Sequence, residues 1–240
     1  MKTYEIVWKG RDPADDIFPD GLDWDDTLVF HGTSSTREAS IDRDGLKPDA
    51  AGVPAWCIRE IEQCFRTLRW RGATIAGWGT LEAYTLRNDL RDGDFSPVYV
   101  SERASQAIMY AGFGNAGGEK LTSFLYAFQD LDNLLKDESF RRASIAQCDQ
   151  WHDDLPPTDL TAEQLAKVHE CVSMTRDVAD FARRGIDSYR YAVVYAIRPP
   201  AQVRASWEDC RGMGLRVMEP IPTEWIVAKL RALPAKPLRL

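Results

Sequence analysis

The chain has 240 residues, of which 44% are hydrophobic and 28% charged, the composition of an ordinary globular protein with one large domain or two small ones. Its net charge of −7 excludes an overall basic surface for nucleic acid, and no apolar run reaches the roughly 18 residues that a membrane span needs. Five scattered cysteines and three histidines argue against a disulfide framework, a structural zinc or a histidine-rich metal site, and favour a reducing, cytoplasmic compartment.

The chain is predicted to begin with two strands and a helix. Residues 3–8 alternate like a strand and lack the apolar stretch of a signal peptide. After an acidic loop, a second strand over 27–30 is predicted to end at His31. A Gly-Thr-Ser-Ser turn then leads into a helix over 34–44. Gly45 stands where a glycine commonly follows a helix end.

The next segments are predicted from periodicity and from capping residues. Cysteines and apolar residues recur at helical spacing over about 55–70. Residues 72–95 hold many glycines and are predicted to form a flexible stretch. A short strand is predicted over 97–100, and Ser101 is predicted to be the N-cap of a helix that runs to Ala111.

The middle of the chain is predicted to be a helical insertion over about 119–186. An apolar stripe repeats there at helical spacing: Leu121, Phe124, Leu125, Phe128, Leu131 and Leu135. Thr161 and Gln164 have the spacing of a capping box, and the helix that they open is predicted to stop at Gly185.

Strands return near the end of the sequence, over 191–197, 215–218 and 224–227. Strands at both ends with helices between them predict an α+β fold rather than the alternation of a doubly wound sheet. We expect one domain over 1–240 that carries the helical insertion.

The first candidate site follows the second strand. His31 adjoins Gly32, whose missing side chain can let a ligand approach the backbone closely. Thr33 and the two serines after it add hydroxyls at a helix N-terminus, an arrangement that favours an anionic group.

The second candidate site is a pair of tyrosines. Tyr99 ends the predicted strand at 97–100, and Tyr110 lies three turns along the next helix. Two such rings can hold a flat ligand between them, although core packing explains an isolated pair equally well.

Together, "FHGTSS", "GLKP" and "VYVSERASQAIMYA" resemble the first two signatures of the ADP-ribosyltransferase superfamily of the His-Tyr-Glu type. The resemblance implies a split β-sheet core and NAD as substrate. It implies that His31 bonds the adenosine ribose, that the Gly32 backbone holds the nicotinamide carboxamide, and that Tyr99 and Tyr110 flank the nicotinamide ring. Ala107 stands where poly-ADP-ribose polymerases have a serine, which favours a mono-transferase.

The resemblance also implies a catalytic glutamate that stabilises the oxocarbenium ion formed as nicotinamide leaves. Glu219 is slightly favoured, because "IPTEWI" resembles the turn that follows the catalytic strand in many bacterial members. Glu224 begins "EWIV", which resembles the catalytic strand of the polymerases, and Glu208 is a less favoured third candidate. Arg216 stands where many members have the glutamate, so a degenerate triad also remains open.

The predicted function is therefore NAD-dependent mono-ADP-ribosyl transfer to a macromolecule, with a protein acceptor favoured over a nucleic acid. No metal and no membrane partner are expected. A bacterial or phage effector or toxin would fit a compact catalytic domain. The alternatives are a non-catalytic NAD or ADP-ribose binding module, an RNA 2′-phosphotransferase and an NAD glycohydrolase.

Overall fold

The computed structural model describes residues 1–8, 17–48, 53–68, 97–111, 119–149, 160–210 and 214–234, with the backbone alone at 119 and 146–149. The chain divides into two compact units. The first comprises Met1–Ala51, Phe95–Glu119 and Gly185–Leu240, and the second comprises Gly52–Asp94 and Lys120–Arg184. The predicted flexible stretch at 72–95 and the predicted break at 112–118 lie outside the described residues.

The architecture is α+β, as predicted. The strands are β1 (Lys2–Trp8), β2 (Val29–Ser34), β3 (Val98–Val100), β4 (Ala192–Ile197), β5 (Glu208–Asp209), β6 (Leu215–Val217) and β7 (Ile226–Pro234). The helices are α1 (Ser35–Asp44), α2 (Ala55–Thr67), α3 (Ala104–Ala111), α4 (Glu119–Lys136), α5 (Glu138–Asp149), α6 (Ala162–Asp187) and α7 (Ala201–Arg204). Short 3-10 helices span Leu22–Trp24 and Thr223–Trp225.

The first unit contains two sheets. The larger has the strand order β1-β7-β4-β2, in which β1 and β7 are parallel and the other pairs antiparallel. The smaller is antiparallel, with the order β3-β6-β5. Main-chain hydrogen bonds of 2.7 and 2.8 Å between Phe30 and Ser101 tie β2 to the residue that follows β3. This bridge brings the two sequence motifs side by side.

Alternation along the strands of the larger sheet creates two apolar clusters, one on each face. Phe30, Val194 and Leu230 face α3, which contributes Ala107 and Ile108. The odd-numbered positions of β2 and β4 face the other way. That second cluster combines Val29 and Tyr195 with Ile41 of α1 and with apolar residues of the smaller sheet.

Several local predictions are confirmed. Helix α1 ends at Asp44, and Gly45 follows it with φ of 76°. Within the second unit, Thr161 and Gln164 form the predicted capping box: each backbone N–H donates to the other side chain, at 2.9 and 3.2 Å. The apolar stripe of α4 is buried, except that Leu135 is only partly so.

Two predicted helix boundaries are wrong. Helix α6 passes through Gly185 and ends at Asp187, since a glycine weakens a helix without necessarily stopping it. Ser101 is not the N-cap of α3, which begins at Ala104. Its main chain pairs with Phe30, and its hydroxyl bonds the main chain of Arg103.

Two further observations concern membrane-spanning helices and metal sites. Among the described residues, no helix combines the length and apolar character needed to cross a membrane. Within the same residues, no group of three or more His, Cys, Asp and Glu side chains is arranged to hold a metal ion.

Candidate functional site

His31 lies inside β2 rather than at its end, which corrects the predicted boundary. Strand β2 continues to Ser34 because His31 pairs with Tyr195 of β4, and the pairing extends through Ser34 and Ala192. Of the predicted Gly-Thr-Ser-Ser turn, residues 32–34 therefore continue the strand, and Ser35 begins α1 directly. His31 and Thr33 occupy alternate positions, on the same face of the larger sheet as Val29.

The imidazole of His31 bonds the main chain of Tyr99, with 2.8 Å between Nδ1 and the carbonyl oxygen. A carbonyl oxygen only accepts hydrogen bonds, so Nδ1 carries the proton. Burial lowers the pKa of His31 below 6.5, although the bond to Tyr99 opposes this. At neutral pH the ring is therefore neutral, and Nε2 is an acceptor that suits a hydroxyl group.

Gly32 lies against helix α3. A methyl group built on its Cα would overlap the main-chain carbonyl of Ala107, whose own side chain is buried in the core. The glycine is thus explained by the close approach of a helix to a strand. Its predicted contact with a nicotinamide carboxamide stays a prediction, and so does the hydroxyl role of Thr33, which is partly buried.

The two tyrosines differ in exposure. Tyr99 is partly buried in β3, whereas the side chain of Tyr110 in the last turn of α3 is 39% exposed. Val98 and Val100 point into the apolar cluster, so Tyr99 projects from the other face of the smaller sheet.

One cross-strand row joins Tyr99 to two charged residues. Tyr99 is directly opposite Arg216 of β6, and Arg216 is directly opposite Glu208 of β5. Directly opposed residues share a face of an antiparallel sheet, about 5 Å apart. The neighbour of Tyr99 is therefore a guanidinium, and Glu208 lies a further strand away, about 10 Å from Tyr99.

Neither favoured glutamate stands in that row. Glu219 follows the end of β6 and is exposed. Glu224 is exposed in the 3-10 helix Thr223–Trp225, which corrects the prediction that it begins a strand. It precedes β7, which is separated from β2 by β4 and so by about 10 Å.

Arg216 is incompletely paired. Its Nη1 is 3.6 Å from Oε2 of Glu208, whose side chain is 66% exposed. Its Nε is buried without a hydrogen-bond partner in the described part of the chain. The side chain as a whole is 20% exposed, so it is not fully enclosed by the rest of the protein.

An ion cluster beneath α1 was missed from the sequence. Its members are Glu38, Asp42, Tyr191, Tyr195, Lys229 and Arg231. Oε1 of Glu38 accepts from Lys229 at 2.6 Å and from Arg231 at 2.8 Å, and Tyr191 donates to Oε2 at 2.8 Å. Burial opposes ionisation of Glu38, but these three bonds hold its pKa below 4.5. The cluster fixes α1 against β4 and β7.

The cluster also adjoins the candidate site. His31, Tyr195 and Lys229 occupy one row across β2, β4 and β7. The hydroxyl of Tyr195 donates to Asp42 of α1 at 3.1 Å. The sequence signal for this cluster is Asp42, an acidic residue four positions after Glu38 and so on the same face of the helix. No nearby residue in the sequence indicates that either carboxylate contacts Lys229. The pairing depends on contacts between distant segments.

Compared with known proteins, the chain matches no family model, no curated protein and no solved structure. Its function is therefore inferred from its own residues and from the sequence resemblance.

Proposed function

We propose that the first unit binds NAD at His31 and Tyr99 and acts as an NAD-dependent mono-ADP-ribosyltransferase. The observation that carries the proposal is the hydrogen bond between His31 and Tyr99, whose residues are 68 positions apart in the sequence. The two motifs of the resemblance thus meet at one place, as a shared nucleotide site requires.

The protonation of His31 supports a ribose contact. With Nδ1 donating to Tyr99, Nε2 presents a lone pair and no proton at neutral pH. A ribose hydroxyl can donate to that lone pair, whereas a phosphate oxygen would meet another acceptor. The adenosine ribose of NAD is therefore a suitable partner for this nitrogen.

The transfer reaction breaks the bond between the nicotinamide nitrogen and the ribose. Nicotinamide leaves with the bonding electrons, the acceptor nucleophile bonds the ribose carbon, and the acceptor loses a proton. Positive charge develops on the ribose in the transition state, where a carboxylate stabilises it. Glu208, Glu219 and Glu224 are the candidates for this acid, and Glu208 is the one that shares a row with Tyr99.

A second candidate function is a non-catalytic module that binds NAD or ADP-ribose. It is favoured by the position of Arg216 directly opposite Tyr99. A guanidinium there opposes the positive charge that develops on the ribose, because like charges repel.

The remaining parts of the proposal rest on composition. The net charge of −7 favours a protein acceptor over a nucleic acid, since polyanions are repelled by an acidic surface. The free cysteines Cys57, Cys64, Cys171 and Cys210 are compatible with a reducing compartment such as the cytoplasm.

The test is nicotinamide release from NAD by the purified full chain, with and without a cell lysate as the source of acceptors, together with calorimetric NAD binding. The variants are His31→Ala, Glu208→Gln, Glu219→Gln and Glu224→Gln. Arg198→Gln is the matched control, because Arg198 is paired with Asp25 and Thr27, which lie outside the two motifs.

A transferase releases nicotinamide, and the release is lost in His31→Ala and in one glutamate variant. A binding module binds NAD with an affinity that falls in His31→Ala, releases no nicotinamide and is indifferent to all three glutamates. Absence of both binding and release would overturn the nucleotide site itself.

A further inference from the structure

Arg216 differs from Arg231, an arginine of the larger sheet whose side chain is 32% exposed, in how fully its guanidinium is hydrogen-bonded. Arg231 bonds Glu38 through Nε at 2.8 Å and Glu5 through Nη1 at 3.0 Å. Arg216 has a 3.6 Å contact with one exposed carboxylate, and its buried Nε has no hydrogen-bond partner among the described residues. A buried N–H without a partner is costly, and such groups in native proteins call for an explanation.

The location of Arg216 supplies one. Its side chain shares a face of the smaller sheet with Tyr99, the residue directly opposite. Tyr99 in turn receives the hydrogen bond from His31. His31 offers only an acceptor to a ligand at neutral pH, so a phosphate in this site needs a cation from another residue. Arg216 is a cation beside Tyr99, with a side chain that is 20% exposed and a guanidinium that is incompletely paired.

Glu208 is suited to give way to such a ligand. Its carboxylate is 66% exposed and lies 3.6 Å from Nη1, too far for a good hydrogen bond. A phosphate offers several oxygens and can bond a guanidinium through two parallel N–H groups. The entering anion would therefore replace a weak pair by a stronger one, and a shift of the side chain would give the buried Nε its missing partner.

We propose that Arg216 holds a phosphate group of a nucleotide at the Tyr99 site, in competition with Glu208. The inference rests on the nucleotide site proposed above and adds its ligand class: nucleotides that place a diphosphate or a terminal phosphate beside Tyr99. The unphosphorylated nucleoside lacks this contact. The site therefore selects for phosphate as well as for the ribose that His31 bonds.

The experiment compares calorimetric binding of ADP and adenosine by the full chain at low and at moderate salt. Wild type binds ADP at least about tenfold more tightly, as expected for a charge-assisted bond, and the preference falls as salt rises. Arg216→Gln binds the two ligands alike. Arg198→Gln, which removes the same charge elsewhere in the first unit, keeps the wild-type ratio.

Glu208→Gln provides an independent test, because it is expected to increase the preference for ADP over adenosine that Arg216→Gln removes. Because the Glu208 side chain is 66% exposed, the variant is expected to fold like wild type. Loss of the competing carboxylate raises the ratio of the ADP affinity to the adenosine affinity severalfold. Inorganic phosphate and NADP, which has a terminal phosphate, are the further arms. Competition by inorganic phosphate shows that the contact is to a phosphate group. NADP and NAD share the diphosphate, so preference for NADP indicates a site for a terminal phosphate, and equal binding of the two indicates the diphosphate.

The inference is overturned if wild type binds ADP and adenosine equally, or if Arg216→Gln or Glu208→Gln leaves the ratio unchanged. NAD binding measured beside these titrations separates the two proposals. If NAD binds and His31→Ala weakens it while the Arg216 variant keeps the phosphate preference, the inference alone fails. If no nucleotide binds wild type, both fail.

Discussion

Gly32 of β2 and Ala107 of α3 touch through their main chains, and the contact leaves no room for a side chain at position 32. A methyl group there would overlap the carbonyl oxygen of Ala107 and approach the side chain of Ala111. Neither obstacle is the end of a flexible side chain, so helix and strand would have to separate. The "HG" step of the first motif therefore fixes the distance between the strand that carries His31 and the helix that carries Tyr110.

Gly32→Ala is expected to lower the free energy of unfolding by about 1–3 kcal/mol, the range for overpacking a core. Gly185→Ala is the matched control. Gly185 lies within α6 with no atom near its missing side chain, so alanine there is expected to add up to about 0.5–1 kcal/mol. Urea unfolding of both variants measures the two effects. If the free energy of unfolding changed little, and by the same amount, in both variants, α3 would be free to move away from β2.

His31 predicts a pH dependence of stability. Its pKa is below 6.5 in the folded protein because burial disfavours the charged ring. The unfolded chain therefore takes up the proton first, and stability is lost as the pH falls from about 6.5 towards the folded pKa. Urea midpoints between pH 8 and pH 5 measure this loss.

His31→Gln is expected to remove that part of the pH dependence, because glutamine does not titrate. His169→Gln, at an exposed position of α6, should keep the wild-type profile. Were His31→Gln to follow the wild-type profile as well, the desolvation of His31 would be ruled out as the cause.

The parts of the fold that depend on neighbours in the sequence were predictable. The capping box at Thr161, the stop at Gly45 and the apolar strand over 191–197 each rest on residues a few positions apart. The second motif was also placed on the right kinds of element, with a strand that ends at Val100 and a helix that ends at Ala111. In each case the physical cause is local capping, backbone freedom or periodicity.

Apart from the stop predicted at Gly185, which rested on a local signal, the parts that failed depend on long-range pairing. His31 continues a strand because it pairs with Tyr195, and Arg216 adjoins Tyr99 because of the register between β6 and β3. The sequence alone does not specify either register. For the same reason the contact of Glu38 with Lys229 was missed, and the sequence could not rank the three glutamates by their distance from Tyr99.

The capping box of α6 gives a prediction confined to the second unit. Thr161→Ala removes the hydroxyl that accepts from the backbone N–H of Gln164 at 3.2 Å, and it is expected to cost about 1 kcal/mol. Ser173→Ala, at an exposed position within the same helix, is the control and should be neutral or slightly stabilising. Helix content and urea unfolding measure both. A neutral Thr161→Ala would show that the start of α6 is held by other contacts.

The ion cluster beneath α1 predicts that Glu38 matters more to stability than an exposed glutamate does. The Glu38 side chain is 8% exposed, and that of Lys229 is 6% exposed. Glu38→Gln leaves Lys229 with Asp42 and Arg231 with Glu5, so the two cations keep only part of their buried counter-charge. Breaking a buried pair in this way is expected to cost about 3 kcal/mol.

The same carboxylate predicts a loss of stability in acid. The pKa of Glu38 is below 4.5 in the folded protein, so its contribution is complete above about pH 4.5 and is lost as the pH falls through the folded pKa. Glu170→Gln is the matched control, because Glu170 pairs with Lys167 at an exposed site of α6 and such pairs contribute little. Urea unfolding at pH 7 should show a large loss of stability for Glu38→Gln and almost none for Glu170→Gln. Between pH 7 and pH 4, Glu38→Gln should lose less stability than wild type does, whereas Glu170→Gln should lose as much as wild type. If both glutamine variants resembled wild type, α1 would be held by its apolar contacts, and the ion cluster would not be what places the helix after His31.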